Sequence, residues 1–124
     1  MALVLSTASY ADEEHSIPAD EIKKEEIFAG NPLNFAKPAE IDMKVLIMAT
    51  PEYQEIKKKK IEKGTGKYWI LFNHATERAH KAIKELIKED KYDLLTNEGY
   101  LDKLTTPIKC ENITKKALKI LKSD

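Results

Sequence analysis

Residues 79–122 read AHKAIKELIKEDKYDLLTNEGYLDKLTTPIKCENITKKALKILK, and this stretch decides the fold. It starts within a helical pattern and continues into the short run Tyr92-Asp93-Leu94-Leu95-Thr96, which predicts a strand. Asn97-Glu98-Gly99 is a turn signal, after which residues 100–101 are predicted to begin a further strand. Short strands that follow a long helix in this way indicate an α+β domain.

The end of the chain predicts a short helix. Residues 108–111 are expected to be extended, and Asn112 or Thr114 is expected to cap the helix that follows. The apolar face of this helix consists of Ile113, Ala117, Leu118, Ile120 and Leu121.

The segment before residue 79 predicts one strand and two helices. Residues 39–45 alternate polar and apolar side chains, which is the period of a strand. Thr50 and Pro51 have the character of an N-cap and a first helical residue, and Gly64-Thr65-Gly66 is expected to end that helix. A second helix is predicted over residues 67–90, where an apolar stripe recurs every three or four positions: Tyr68, Phe72, Ala75, Ala79, Ala82 and Leu86.

These elements give the predicted fold class and domain organisation. We expect a small β-sheet body, an antiparallel αα-hairpin and a short C-terminal helix, all in one domain over residues 39–124. Residues 12–38 are polar and interrupted by prolines, which predicts an N-terminal arm; helical turns over residues 19–28 would end at Gly30. The apolar anchors of this arm are Ile17, Ile22, Ile27, Phe28, Leu33 and Phe35.

The first eleven residues resemble the end of a secretory signal peptide. They are apolar or small, with Ser9 and Ala11 placed as a signal peptidase requires, and Asp12-Glu13-Glu14 follows them. We therefore interpret residues 1–11 as a signal-peptide remnant and expect export. The alternative is an ordinary apolar N-terminal arm or strand.

Composition excludes several classes of function. The chain of 124 residues carries 21 Lys and Arg residues and 21 Asp and Glu residues, so its formal charge gives no general attraction to nucleic acid. Arg78 is the single arginine, whereas base and phosphate recognition favours arginine. Cys110 is the only cysteine and cannot form an internal disulfide.

Catalytic signatures are missing from the sequence. It contains no Ser-His-Asp, C-x-x-C, H-E-x-x-H or glycine-rich dinucleotide pattern, and Gly64-Thr65-Gly66-Lys67 lacks the spacing of a phosphate loop. We therefore predict a protein that is not an enzyme, with no catalytic residue and no cofactor.

One helical motif is a weak metal-site candidate. Glu77-x-x-His80 is half of a dimetal carboxylate motif, and His74 lies six residues before His80, far from it around the helix. A complete site needs a second such pair, supplied within the chain or by another subunit of an oligomer. The alternative interpretation is that these are surface or interface side chains.

Two neighbouring segments are candidates for binding a partner. Lys57 to Lys60, with Lys63 and Lys67, form either a solvated helix face or a contact for lipid headgroups or an acidic client. The adjoining apolar segment is either core or an exposed surface that binds proteins, because five bulky residues in a row cannot share one helix face. Its candidate binding residues are Tyr68, Trp69, Ile70 and Phe72.

Four segments together resemble a known family. Ile41-Asp42-Met43 is similar to its V-D/N-M first strand, and Thr50-Pro51-Glu52-Tyr53 to the S-P-E-Y that opens its first long helix. Residues 82–95 resemble its A-I-x-x-(A)-x-x-x-x-Y-D-L-V pattern, and residues 112–118 its D-I-T-x-x-V-L ending. In this order they resemble the OmpH/Skp family of periplasmic holdase chaperones for outer-membrane proteins.

The resemblance implies a periplasmic homotrimer that binds unfolded or outer-membrane proteins. Peripheral membrane contact is instead predicted from the lysine cluster, and the balanced charge predicts no nucleic-acid partner. The chain departs from the family in its helical arms, because the first arm turns at Gly64 and is only about 20 Å long at 1.5 Å per residue. We therefore keep two alternatives to a holdase. One is a structural or interaction module that lost holdase activity, and the other is a small metal-binding protein that uses Glu77 and His80, with His74 as a further ligand.

Overall fold

The computed structural model describes residues 14–123, so the predicted signal-peptide remnant lies outside the described part. Within that part there are four short strands: β1 (Ile27–Gly30), β2 (Pro38–Ile41), β3 (Leu94–Asn97) and β4 (Glu111–Asn112). The same part contains four α-helices: α1 (Met43–Met48), α2 (Pro51–Lys58), α3 (Gly66–Asp90) and α4 (Thr114–Ser123). The predicted α+β class is confirmed at this level. No helix within residues 14–123 is long and apolar enough to cross a membrane.

The chain forms two compact units. The sheet unit consists of residues 14–41 and Lys91–Asn112, and the helical unit consists of Asp42–Asp90 and residues 113–123. Residues that the sequence assigns to an N-terminal arm thus belong to the sheet unit, and β1 and the start of β2 come from them.

The sheet has the strand order β1-β3-β2-β4 and is mixed. Strand β3 runs antiparallel to β1 and parallel to β2, with Pro38 opposite Leu94 and Ile41 opposite Asn97. The short β4 pairs in parallel with the other side of β2. Leu94, Leu95 and Thr96 of β3 are all buried, as is typical of a strand covered on both faces.

The core of the sheet unit draws on both of its chain segments. A buried cluster consists of Ile17, Phe35, Leu94, Tyr100, Leu101 and Leu104. Phe35 is fixed by backbone hydrogen bonds in both directions with His15, at 2.6 and 3.0 Å. The Asp93 carboxylate accepts hydrogen bonds from the amides of Ala36 and Lys37, both at 2.7 Å, and so holds the start of β2 beside β3.

The helical unit is organised around α3, which packs against α1, α2 and α4. The buried residues of α3 are Ala75, Ala79, Ala82, Ile83 and Leu86, and they continue the predicted apolar stripe. Thr50 caps α2 as predicted, since its hydroxyl accepts a hydrogen bond from the amide of Tyr53 at 3.2 Å and Pro51 is the first helical residue. The buried residues on the apolar face of α4 are Ala117 and Leu121, together with Ile113 directly before the helix.

The predicted strand over residues 39–45 is wrong in its second half. Strand β2 ends at Ile41, and α1 begins at Met43. The Asp42 carboxylate accepts a hydrogen bond from the amide of Val45 at 3.2 Å, which satisfies a free N–H of the first turn. This cap, together with burial of Leu46, favours a helix over the strand that the alternation predicts.

The predicted strand at residues 100–101 is also wrong. Leu101–Lys103 forms a 3-10 turn, in which the amide of Lys103 donates to the carbonyl oxygens of Gly99 and Tyr100 at 3.2 and 3.1 Å. The strand predicted over residues 92–96 starts two residues later, at Leu94.

The helical turns predicted over residues 19–28 are present only in part. Ala19–Glu21 and Lys24–Glu26 are 3-10 turns, but the chain from Ile27 is β1. Gly30 therefore ends a strand and does not cap a helix, because pairing with β3 takes up the backbone of Ile27–Gly30.

Candidate functional site

The main candidate site is an apolar groove of about 460 Å³ in the helical unit. Its walls come from α1, from α2, from the loop after α2 and from the first turns of α3. The lining residues are Lys44, Ile47, Met48, Tyr53, Lys63, Tyr68, Trp69 and Phe72. A concave, mostly apolar site of this size is typical of a ligand-binding or side-chain-binding pocket.

An aromatic cluster at the start of α3 forms one wall of the groove. The rings of Tyr68 and Phe72 are stacked, with centroids 5.8 Å apart, because residues four apart lie on the same face of a helix. The ring of Trp69 stands edge-on to both, at 5.5 Å from Tyr68 and 6.1 Å from Phe72. The hydroxyl of Thr65 accepts a hydrogen bond from the amide of Tyr68 at 3.2 Å and so fixes the turn that carries the cluster.

Three of the four predicted binding residues line the groove together: Tyr68, Trp69 and Phe72. Ile70 does not line it, although its side chain is 60% exposed. Trp69 is 47% exposed, whereas Tyr68 and Phe72 are half-buried. The groove therefore has one accessible ring, the indole of Trp69, beside the half-buried rings of Tyr68 and Phe72.

Sequence reasoning missed the opposite wall of the groove, formed by Ile47, Met48 and Tyr53. Ile47 and Met48 belong to the apolar run that follows the strand predicted over residues 39–45, and no helix is predicted there. The signal that could have revealed this wall is Asp42 three residues before Val45, which is the spacing of a helix cap.

A second cavity of about 550 Å³ in the helical unit is charged. It is lined by Glu52, His74, Glu77, Arg78 and Lys81. Arg78 donates from Nε to Glu52 Oε1 and from Nη2 to Glu52 Oε2, both at 2.9 Å, which is the bidentate geometry of a strong ion pair. These hydrogen bonds from Arg78 lower the pKa of Glu52 below its ordinary value of 4.5, against the opposing effect of burial.

The three candidate metal ligands, His74, Glu77 and His80, do not all line the same cavity. His74 and Glu77 line the charged cavity beside Arg78 and Lys81, while His80 is exposed and does not line it. Within residues 14–123, no three or more His, Cys, Asp or Glu side chains converge as a metal site would require. The positive charges of Arg78 and Lys81, which line the same cavity, also disfavour a bound metal ion.

We expect Glu52→Gln to lower the free energy of unfolding by about 1 kcal/mol at neutral pH, because the bidentate ion pair is replaced by a hydrogen bond from the partly exposed guanidinium to a single uncharged amide oxygen. The pKa of Glu52 is lowered by folding, so its contribution is complete above pH 4.5 and disappears as the pH falls through the folded-state value. Urea unfolding of wild type and variant should therefore show a constant difference from neutral pH to about pH 5, which shrinks at lower pH.

Glu55→Gln on the same helix is the matched control. Glu55 pairs with Lys59 at 3.4 Å, but both side chains are exposed, so we expect a loss below about 0.5 kcal/mol. An effect of Glu52→Gln that persists undiminished in acid would contradict the role assigned to its charge.

Cys110 lies in the sheet unit and is held as a neutral thiol. Its Sγ donates to Glu40 Oε1 at 3.4 Å, and burial together with the Glu40 carboxylate raises the pKa of Cys110 to about 12. Glu40 also accepts hydrogen bonds from the amide of Gly99 at 3.1 Å and from Asn112 Nδ2 at 3.2 Å. A thiol with this pKa is a poor nucleophile at neutral pH, so the cluster serves to join the turn at Gly99 and strand β4 to β2.

No protein-family model, curated protein sequence or solved structure matches the chain. The groove, the charged cavity and the sequence patterns are therefore the basis for inferring a function.

Proposed function

We propose that this chain is a non-enzymatic protein-binding protein, and that it binds apolar side chains of another polypeptide in the groove of the helical unit. The observation that carries the proposal is the composition of the groove, in which Trp69, Tyr68 and Phe72 face Ile47, Met48 and Tyr53. Tyr, Trp, Phe and Met are enriched at protein interfaces, where large rings and flexible thioethers provide contact area.

Exposure of the groove supports a polypeptide as the ligand. Trp69 is a large apolar side chain that lines the groove, and it remains 47% exposed. A partner that fills the groove would cover Trp69, and a partly exposed tryptophan beside a pocket is a frequent hot spot of protein binding.

The same proposal includes the finer features implied by the OmpH/Skp resemblance. We propose that α2 and α3 form a shortened antiparallel hairpin, and the Glu52–Arg78 ion pair supports this arrangement. Helix α2 has eight residues and is therefore about 12 Å long, too short to enclose a folded or unfolded client. Binding in the groove, and not enclosure between long arms, is the mode of action that we propose.

The proposed setting is the periplasm, and the proposed clients are unfolded or outer-membrane proteins. A homotrimer and peripheral contact with a membrane belong to the same proposal. The trimer rests on the resemblance, and the membrane contact on the exposed lysines at the end of α2. The mass in solution by light scattering tests the trimer directly.

Two alternatives have less support. A structural or interaction module would use the same groove without preventing aggregation. A metal-binding protein would have to use His74, Glu77 and His80, which do not converge in the described part of the chain.

The main test is Trp69→Ala, which we expect to weaken binding of an unfolded outer-membrane protein by about tenfold or more, as for an interface hot spot. Binding is measured as fluorescence anisotropy of the labelled client. Ile70→Ala is the matched control, because Ile70 is the adjacent and more exposed residue but does not line the groove; we expect less than a twofold change. Equal losses for both variants would contradict the groove as the binding site.

A second readout separates the holdase from the module. Wild-type protein at stoichiometric amounts is added to the unfolded client, and aggregation is followed by light scattering. Suppression that is lost in Trp69→Ala supports the holdase. Binding without suppression supports the interaction module.

A further inference from the structure

The charges at the groove define which polypeptide segments it can take. Six of its eight lining residues are apolar or aromatic, and the other two are Lys44 and Lys63. Among the residues that the structure describes as lining the groove, none is an Asp or a Glu.

These two lysines have their charges available for a ligand. Lys44 lies on α1 and Lys63 in the loop before α3, and both side chains are exposed. Within residues 14–123, neither of them forms an ion pair with a carboxylate. Because both side chains are exposed, their attraction for an anion is that of solvated charges and weakens as salt is added.

The neighbouring sequence adds to the same potential. Lys57 and Lys58 end α2 and Lys60 follows it; all three are exposed, and they outnumber Glu62, the exposed carboxylate directly before Lys63. The charged cavity of the same unit differs in this respect, because its arginine is already paired with Glu52. The groove is thus the apolar site in the helical unit that combines aromatic rings with unpaired positive charge.

We propose that the groove selects apolar polypeptide segments that carry Asp or Glu beside the apolar residues. This inference rests on the proposed function and specifies its ligand. The apolar side chains of the segment would fill the space between Trp69 and Ile47, and its flanking carboxylates would pair with Lys44 and Lys63.

A recessed apolar surface favours a peptide over a lipid surface as the occupant. Tyr53, Tyr68 and Phe72 are half-buried in the walls of the groove, so side chains of a narrow segment reach them and a flat membrane surface does not. Membrane binding by interfacial residues needs apolar side chains that protrude into the acyl region. Binding to anionic vesicles is therefore the competing outcome of the test.

The test uses three peptides with one shared Leu-Phe-Leu core, flanked by Asp and Glu, by Ser, or by Lys. Trp69 is the only tryptophan of the chain, so its emission reports occupancy of the groove without a label. We expect the acidic peptide to bind about tenfold more tightly than the Ser-flanked peptide at low ionic strength, and this advantage should shrink as salt screens the pairs.

Lysine variants assign the effect to the groove. The double variant Lys44→Gln/Lys63→Gln should bind the acidic and Ser-flanked peptides within about twofold of each other, with the affinity for the Ser-flanked peptide unchanged. Lys88→Gln/Lys119→Gln is the control, because both residues are exposed in the helical unit and do not line the groove. It should retain the preference for the acidic peptide.

The possible failures are distinguishable. Equal binding of the acidic and Ser-flanked peptides by wild type overturns the selectivity and leaves the proposed function standing. Binding of none of the three peptides overturns both. Tighter binding to phosphatidylserine vesicles than to the acidic peptide, with the emission of Trp69 shifted to the blue, also overturns the inference and assigns the lysines to a membrane surface.

Discussion

Gly30→Ala is expected to destabilise the sheet unit by about 3 kcal/mol or more, which combines a left-handed backbone with an overpacked contact. Gly30 ends β1 with φ at 93°. A Cβ at this position would press against the carbonyl oxygen of Asp93, and it would lie 2.8 Å from Leu94 Cα. These are backbone atoms of β3 and its approach, so no side-chain rotation can relieve the contact. Unfolding by a chemical denaturant, monitored through hydrogen exchange of the β3 amides, measures the loss in the free energy of unfolding.

Gly99→Ala separates the two contributions. Gly99 belongs to the same unit and has a φ of 86°, but no atom of residues 14–123 lies within 4 Å of the position that its Cβ would take. We expect this variant to lose only about 1 kcal/mol, the cost of the left-handed conformation for an L-residue. Similar losses for Gly30→Ala and Gly99→Ala would show that the close approach of β1 to Asp93 is unimportant.

Long periodic segments and helix starts could be predicted from the sequence. The apolar stripe from Ala75 to Leu86 fits only one structure well, a helix with one buried face. Helix α3 occupies Gly66–Asp90, and the predicted range is 67–90. The pair Thr50-Pro51 combines a side-chain cap with a residue that suits the first helical position, and α2 starts there.

Short segments were harder to predict because two periods fit them. Residues 39–45 alternate as a strand does, yet a single hydrogen bond from the Val45 amide to Asp42 accompanies a helix over Met43–Met48. Six residues contain fewer than two turns of helix, so their hydrophobic pattern cannot distinguish the two structures. The turn after Gly99 is another case, since its 3-10 hydrogen bonds are local and leave no period in the sequence.

The candidate site could be predicted on one wall only. The sequence predicts Tyr68, Trp69 and Phe72 as binding residues because they belong to a run of bulky residues that cannot all share one helix face. Ile47, Met48 and Tyr53 are ordinary apolar residues, and only the packing of α1 and α2 against α3 places them opposite the rings. Helical periodicity places Ile70 about 200° around the helix from Tyr68, but it does not show on which face of α3 the groove lies.

The anchors of the segment before β2 have the same limitation. Leu33 and Phe35 are two residues apart and both are bulky, so the sequence treats them alike. In the structure Leu33 is 56% exposed, whereas Phe35 is 1% exposed in the core of the sheet unit. Phe35 pairs with His15 through its backbone and its side chain lies in the core, whereas the side chain of Leu33 lies in solvent.

Phe35→Ala is expected to lower the free energy of unfolding of the sheet unit by about 3–5 kcal/mol, the usual cost of emptying a buried phenylalanine site. The ring packs in the cluster with Ile17 and Leu94, and its loss would leave a cavity that backbone hydrogen bonds to His15 prevent from closing. Hydrogen exchange of the β3 amides measures the stability of the sheet unit, while emission of Trp69 reports separately on unfolding of the helical unit.

Leu33→Ala is the control for this substitution, and its loss should stay below about 0.5 kcal/mol because the side chain is largely in solvent. If Phe35→Ala were as mild as Leu33→Ala, the segment before β2 would be a loosely attached arm and would contribute little to the core. A loss of several kcal/mol would instead show that residues 14–41 are an integral part of the sheet unit. Removal of a side chain that only contacts the surface costs much less.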